Sequence, residues 1–426
     1  MSDFNFKFIG PAPELETGNL NWSEYTFRQD NFGVHKETLT VPLLWNENNN
    51  EYPPKIIRHK NYEAFKGYLD QLEFFLGDGH IQTAILIKLP AGKSVSPHVD
   101  SAPFFRYFHR IHIPIVTNPQ CLFTVGDETI HMKKGEMWEI DNDNKVHSVD
   151  NGGAEDRVHL LIDFYSLKLR VSTANRFLVF DTFDKSTKIV HEGSGVYYGS
   201  VEEWTVSRPD VNGKDCLLSI RTNQTVPIPS GFTHDFCRFG DKLYITDCAN
   251  GGVVVLSYPE MKLLKHLIPF TARDHVNTLM CEEEGKLWCL LHSLGKSKLV
   301  QISAETGEWL QVLTDVGDQS HGIVRYGEEE NFLVLSSGTS ELLLLCGGAS
   351  PPKVLWKDSS KTYLKGLCVS SSRDVAYFGI APLTERTDRR SLDLQCEIAA
   401  FDLRTNTLLW RHKIATNGLL NSIVCA

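Results

Sequence analysis

Apolar residues recur along this chain with two different periods. Between Tyr62 and Leu76 (YEAFKGYLDQLEFFL), Phe65, Tyr68, Leu69, Leu72 and Leu76 fall at i, i+3, i+4 spacing, which predicts an amphipathic helix stopped by Gly-Asp-Gly at 77–79. From residue 81 the texture changes to short runs separated by Gly, Pro and Asn turns: IQTAILIKL, RIHIPIV, CLFTV, TIHM, MWEID, VHSVD and RVHLLIDF. These read as strands of an antiparallel barrel. Residues 1–60 are polar and rich in Asn and Pro, and read as loops and edge strands.

After Tyr165 the chain becomes a series of short strand clusters that continues to its end. Several open alike, at His234-Asp-Phe-Cys, His275-Val-Asn-Thr, His321-Gly-Ile-Val, Lys365-Gly-Leu-Cys and Asn421-Ser-Ile-Val, spaced by 41, 46, 44 and 56 residues. That spacing is close to the roughly 40–50 residues of a four-stranded propeller blade. KLYITDCANGGVVVLSYPEMKLLKHL and KLWCLLHSLGKSKLVQISAETGEWLQVL share an internal order of strand, Gly turn, strand, strand, and YYGSVEEW at 197–204 opens a further blade. The final NSIVCA is a single strand that would close the ring by joining the strands near 175–191. Six blades is the count, with five or seven left open by the degenerate repeat.

Length agrees with two domains, since 426 residues exceed the roughly 250–300 at which a single core stops growing. The boundary is expected at 168, giving domains 1–168 and 169–426. No apolar run reaches the roughly 18 residues of a membrane span, and the start MSDFNFKFIGPAPELETG has no basic stretch followed by an apolar one, so a cytoplasmic protein with no membrane partner is expected. Ten cysteines are scattered without a CxxC pair, as suits thiols in a reducing compartment. A formal charge of -10 with no Lys/Arg-rich run argues against nucleic acid as a partner.

The candidate chemistry lies in the first domain. On a strand, residues i and i+2 share a face, so His98-Val-Asp100 offers an imidazole and a carboxylate to one point. A second His on a strand of the same barrel would complete the two-His, one-carboxylate facial triad that leaves positions open on non-haem Fe(II). His147, 49 residues after His98, is that candidate. The turn Asn-Gly-Gly at 151–153 predicts a hairpin centred on Gly152, which places His147 opposite Arg157. A guanidinium beside the metal suits a dicarboxylate co-substrate, because its donor fork pairs bidentately with a carboxylate. The strand Arg110-Ile-His112-Ile-Pro-Ile puts Arg110 and His112 on one face, at a cost unless a ligand satisfies them.

The run LPAGKSVSPHVD, then RIHIPI, GEMWEIDN, KVHSVDN and RVHLLIDF, resembles in order and spacing the aspartyl/asparaginyl β-hydroxylase-like family of Fe(II)/2-oxoglutarate dioxygenases over residues 80–165. The resemblance implies His98 and His147 as iron ligands, Arg157 as anchor of the distal carboxylate, and Arg110 and His112 as further co-substrate contacts. The founding vertebrate hydroxylases lack the acidic ligand, whereas Asp100 is present here, as in the related free-proline 3-hydroxylases. The fold expected is therefore mainly β, an N-terminal double-stranded β-helix (a cupin-like jelly roll with a few helices) followed by a β-propeller. The activity expected is hydroxylation of a C–H bond with Fe(II), 2-oxoglutarate and O2. The acceptor is an amino-acid side chain in a protein or peptide, or a small amino-acid-like molecule, and the propeller offers a platform for a protein partner.

Plainer readings stand beside these. His98 and His147 as exposed loop residues, with Arg157 paired to Glu155 or Asp156, would leave the spacing unexplained, and a zinc or manganese cupin would not need Arg157 and Arg110. A propeller scaffold with a vestigial or sensing oxygenase half is the alternative of another class. Phe104, Phe105, Tyr107 and Phe108 are read as core rather than as a substrate mouth, and Trp138 as packing. His234, His275 and His321 are read as bonded to neighbouring backbone rather than as channel ligands. Glu282 to Glu284 and Glu328 to Glu330 read as solvated turns.

Overall fold

A computed structural model describes residues 4–18, 20–22, 25–46, 55–100, 108–142, 144–193, 195–208, 214–327, 331–346, 351–370 and 373–425. The chain is mainly β and divides into two compact units, Met1–Leu167 and Lys168–Ala426. No helix among the described residues is long and apolar enough to cross a membrane.

The first unit contains β1 (Phe6–Pro11), α1 (Phe27–Asn31), β2 (Leu39–Asn46), β3 (Ile56–Arg58), α2 (Tyr62–Leu76), β4 (Gly79–Leu89), β5 (Ser94–His98), β6 (His109–Val116), β7 (Cys121–Val125), β8 (Glu128–Ile130), β9 (Glu136–Ile140), β10 (His147–Asn151) and β11 (Arg157–Ser166). The predicted helix is α2, which buries Tyr62, Phe65, Leu69, Leu72 and Leu76 and ends at Gly77, where φ is +99°. Tyr68 is only partly buried, its hydroxyl donating to the Pro13 carbonyl. The strands form a seven-stranded sheet, β1-β9-β6-β11-β4-β2-β3, and a four-stranded sheet, β5-β10-β7-β8. Both contribute to one core of Leu89, Val95, Phe123, Val125, Ile140 and Val149, against which Trp138 packs.

One expectation fails here. β10 pairs with β5 and β7, whereas β11 pairs with β4 and β6, so Asn-Gly-Gly carries the chain from one sheet to the other instead of closing a hairpin. His147 consequently lies opposite His98 and Val125, and Arg157 opposite Leu89. The cause is Asn151, whose fully buried amide donates to the carbonyls of Leu89, Pro90 and Glu155 and accepts from Asn118. These bonds satisfy carbonyls at the crossing that a hairpin ladder would otherwise engage.

The second unit consists of six four-stranded antiparallel sheets in a propeller-like arrangement. An edge strand of each, Val196–Val201, Phe236–Phe239, Val276–Glu283, His321–Arg325, Thr362–Ser370 and Leu420–Cys425, touches that of the next, and the last touches the first. These are the strands that the repeated openings mark. Equivalent positions make the contacts. Arg238 pairs with Glu202, Leu279 N donates to Asp235 Oδ2 (3.0 Å), Gly322 N to Thr278 Oγ1 (3.0 Å) and Gly199 N to Ser422 Oγ (2.9 Å). At the other two junctions only glycine fits, since a Cβ at Gly322 would lie 2.9 Å from the Leu367 Cβ and one at Gly366 2.5 Å from Ile423 N. The final strand Leu420–Cys425 joins the sheet of Arg176–Asp181 and Thr187–Glu192, as expected, and does so by pairing directly with Lys168–Thr173.

Replacing Asn151 with Ala removes one buried amide and takes its donor from the carbonyls of Leu89, Pro90 and Glu155, of which Glu155 keeps Asn118 Nδ2 at 3.4 Å. Because an unsatisfied buried polar group costs roughly 1–3 kcal/mol, the first unit should lose about 2–4 kcal/mol of stability, measured as a lower denaturation midpoint in urea.

Candidate active site

The pairing of β10 with β5 sets His147 directly across from His98, and a short turn after β5 brings Asp100 beneath both rings. The two imidazole centroids are 4.2 Å apart. His98 Nε2 lies 3.9 Å from Asp100 Oδ1 and His147 Nε2 3.8 Å from Asp100 Oδ2. An ion bound at roughly 2.0–2.2 Å by nitrogen and oxygen ligands reaches across such gaps. In each ring Nδ1 faces the carbonyl two residues earlier, Ser96 O at 2.8 Å and Lys145 O at 3.3 Å. Donation from Nδ1 to those carbonyls leaves the Nε2 lone pairs directed at the shared point, the second-shell arrangement that metal-binding histidines use. Burial outweighs the opposing pull of the Asp100 carboxylate and holds His147 down at about 4, so its imidazole is neutral at pH 7. The donor set therefore fits a two-His, one-carboxylate metal centre.

Three arginines surround this point, and they differ in what they already hold. Arg110 on β6 is committed: Nε and Nη2 donate to the two oxygens of Asp163 at 2.8 and 2.9 Å, and Nη1 donates to Asp100. Asn142 Nδ2 adds a bond to the same Asp100 oxygen at 2.9 Å. Burial works to raise the Asp100 carboxyl, but Arg110, His147 and Asn142 outweigh it and bring it down to about 2. Arg110 is thus the positioning partner of Asp100, rather than the ligand-seeking cation that the strand pattern suggested.

Arg157 differs. It is 2% exposed, its Nη2 lies 2.7 Å from His159 Nδ1, its Nε has no partner, and its guanidinium sits 5.8 Å from the centre of the Phe123 ring. Among the described residues no carboxylate pairs with it, and burial pulls it down to about 10. His112, on the same face of the seven-stranded sheet as Arg110, stacks edge-on against Phe123 at 5.0 Å and leaves a buried Nδ1 without a partner. Its pKa is held well below that of an ordinary imidazole by burial and by Arg157. Phe123 in turn stacks on His147 at 6.5 Å, so one aromatic ring stands between Arg157 and His147.

The third arginine escaped the sequence reading. Arg28, on the short α1, feels Arg110, Asp100, Asp163 and Arg157, and its buried Nη1 has no partner. Burial and the neighbouring guanidinium of Arg110 lower it to about 10. Its Nη2 lies 2.9 Å from His35 Nε2, and the His35 ring meets His98 edge-on at 5.1 Å. Nothing periodic in the polar N-terminal segment marks these residues. Asp163 was legible, because it alternates with Arg157 and His159 on β11. Of the aromatic residues after Asp100, Phe104, Phe105 and Tyr107 lie outside the described residues, as do Glu328 to Glu330, and Phe108 meets Tyr165 at 5.8 Å.

Residues 15–166 match the aspartyl/asparaginyl beta-hydroxylase family. The chain is 30% identical over 98 residues to an L-proline cis-4-hydroxylase of Rhizobium meliloti (strain 1021), a match that takes in 23% of this chain and 35% of the relative's own length. The second unit's share of the chain is similar to solved structures at low identity. A nidogen/laminin complex matches at 12% identity and a TM-score of 0.47, covering 61% of this chain and 98% of that one. A Lactobacillus plantarum protein matches at 12% identity and a TM-score of 0.43, covering 61% and 99%. The first unit thus contains a hydroxylase-like domain, and the match spans about a third of the curated relative's length.

Proposed function

We propose that residues 1–168 form an Fe(II)- and 2-oxoglutarate-dependent dioxygenase built on a double-stranded β-helix, and that residues 169–426 form a six-bladed β-propeller that serves as a recognition platform in the cytosol. Ten free thiols support that compartment. The observation that carries the reading is the pairing of a convergent His98, Asp100, His147 donor set with a buried, carboxylate-free Arg157. A buried guanidinium that meets no carboxylate among the described residues is costly, so it argues for an anion that arrives with the ligand.

Iron, 2-oxoglutarate and O2 would together supply the oxidising power to place oxygen in a substrate C–H bond, with release of succinate and CO2. The protein's own residues do the rest. Arg157 receives the distal carboxylate as a fork, with His112 beside it as a neutral hydrogen-bonding group. Arg110 and Asn142 hold Asp100 ionised and in place, leaving its carboxylate free of protons across the physiological range. Phe123 excludes water between the anchor and His147.

Arg28 narrows the acceptor. With Arg157 assigned to the co-substrate, a second guanidinium with no carboxylate partner among the described residues and a buried Nη1 left over asks for a second anion, and the carboxylate of an amino-acid-like substrate supplies it. This favours a small molecule with a free carboxylate over an internal residue of a protein. The sequence similarity to a proline hydroxylase supports the same class.

His147→Ala should lose iron and with it succinate formation. Arg157→Ala should keep iron yet raise the 2-oxoglutarate requirement at least about thirtyfold, since losing one partner of a desolvated pair costs roughly 2–5 kcal/mol. Arg157→Lys should recover only part of this. Succinate release at saturating iron, titrated with 2-oxoglutarate, measures both; normal co-substrate affinity in Arg157→Ala would refute the anchor.

Arg28→Ala should leave substrate-independent succinate release close to normal while weakening the stimulation given by carboxylate-bearing amino acids. A screen of free amino acids against their amides, followed by mass spectrometry for the added oxygen, tests this. Equal stimulation by acid and amide would remove Arg28 from substrate recognition.

A further inference from the structure

In the second unit, four imidazoles and two phenols follow one another in unbroken contact. Ring centroids are 5.0 Å apart for Tyr198–His234, 4.9 Å for His234–His275, 5.3 Å for His275–His292, 5.0 Å for His292–His321 and 5.3 Å for His321–Tyr363. His234, His275 and His321 come from repeated openings that precede or begin the mutually touching strands, which is why one end of the sheet cycle collects them. His321 bonds through Nδ1 to the Gln319 carbonyl at 2.9 Å, as its sequence reading expected. The other two are placed differently. His234 and His275 stand beside Cys248, and one ligand atom from each of the three lies within 4.8 Å of the others.

We propose that His234, Cys248 and His275 form a second transition-metal site, suited to Zn(II), whose remaining position opens toward the cavity of about 370 Å³ lined by His234, His321, Asn277 and Lys365. An ion bound tetrahedrally at roughly 2.0–2.3 Å by nitrogen and sulfur holds its ligand atoms about 3.3–3.6 Å apart, so the side chains close by up to about an ångström on binding. The chemistry of the donors selects the ion: two imidazoles and a thiolate are soft ligands, whereas Ca(II) and Mg(II) ask for oxygen. The carboxylate in this cavity, Asp235, already accepts from Leu279 N and is held in the contact between sheets.

Two further features fit the assignment. His275 has φ of +52°, a left-handed conformation that a non-glycine residue adopts at a cost, and such strain gathers where a side chain must be aimed. The His234 ring stands 4.9 Å from that of His275, centre to centre, which brings the second imidazole to the same place. Cys248 is 4% exposed and burial pushes its thiol up; on binding, the S–H proton leaves to solvent as the sulfur–metal bond forms.

The test uses the full chain and two probes, Co(II) and Zn(II). Cobalt bound to a thiolate gives a sulfur-to-metal charge-transfer band in the near ultraviolet, and the His98, Asp100, His147 set, having no sulfur, cannot produce it. The native chain and His147→Ala should both show the band, and Cys248→Ser and His234→Ala should both lack it. In equilibrium dialysis, one bound equivalent of Zn(II) should disappear in Cys248→Ser, and a different one in His147→Ala. Absence of the band from the native chain, or its survival in Cys248→Ser, would overturn the site without touching the oxygenase assignment.

Discussion

A charge taken out of water must be met by another charge or by a ligand, and this constraint orders the first unit. Three guanidiniums stand around one carboxylate. Arg110 meets the demand within the protein, bridging Asp163 on β11 to Asp100, and in doing so it links the seven-stranded sheet to the loop that carries a metal donor. Arg157 and Arg28 each meet only an imidazole, His159 and His35, and each keeps one buried nitrogen without a partner. The sheets, with their apolar core, supply the stability that lets two such part-satisfied cations stay where they are.

The same constraint separates what the sequence disclosed from what it hid. Period-two alternation put Arg110 beside His112 and His98 beside Asp100, because the direction of a side chain on a strand is a local property. The helix at 62–76 and the openings of the repeated clusters are local in the same way. Asn-Gly-Gly misled because a turn signal states that the chain reverses, not which strand it meets next. Pairing there is decided by the buried Asn151 amide and its bonds to Leu89, Pro90 and Glu155, partners drawn from either side of the crossing. Arg28 and His35 were invisible for a related reason: they reach the site from a polar segment whose conformation is set by what it packs upon.

In the second unit, small or hydrogen-bonding residues at equivalent places, Gly199, Asp235, Thr278, Gly322, Gly366 and Ser422, let each edge strand approach the next. Such approach is paid for in side-chain volume, so the positions just before them carry the larger groups of the cavity, Tyr198, His234, Asn277, His321, Lys365 and Asn421. The repeat that builds the fold thereby also concentrates polar side chains at one place, and the sequence showed this concentration as histidines recurring with the period of the strands.

The two donor sets differ in hardness, and that difference has a chemical consequence. His98, Asp100 and His147 present two nitrogens and an oxygen, and the ionised Asp100 is kept in place by Arg110 and Asn142, so the set suits an ion that tolerates oxygen ligands and exchanges them. His234, Cys248 and His275 replace the oxygen with sulfur, and the Cys248 thiol donates to the Val276 carbonyl at 2.6 Å. Under the usual order of affinities, Zn(II) exceeds Fe(II) at either set, but the margin is larger where a thiolate takes part. A chain carrying both would therefore draw zinc toward the sulfur-containing set first. That partition would help to keep the oxygen-containing set available for iron, which ties the two halves of the chain through metal supply without requiring any contact between them.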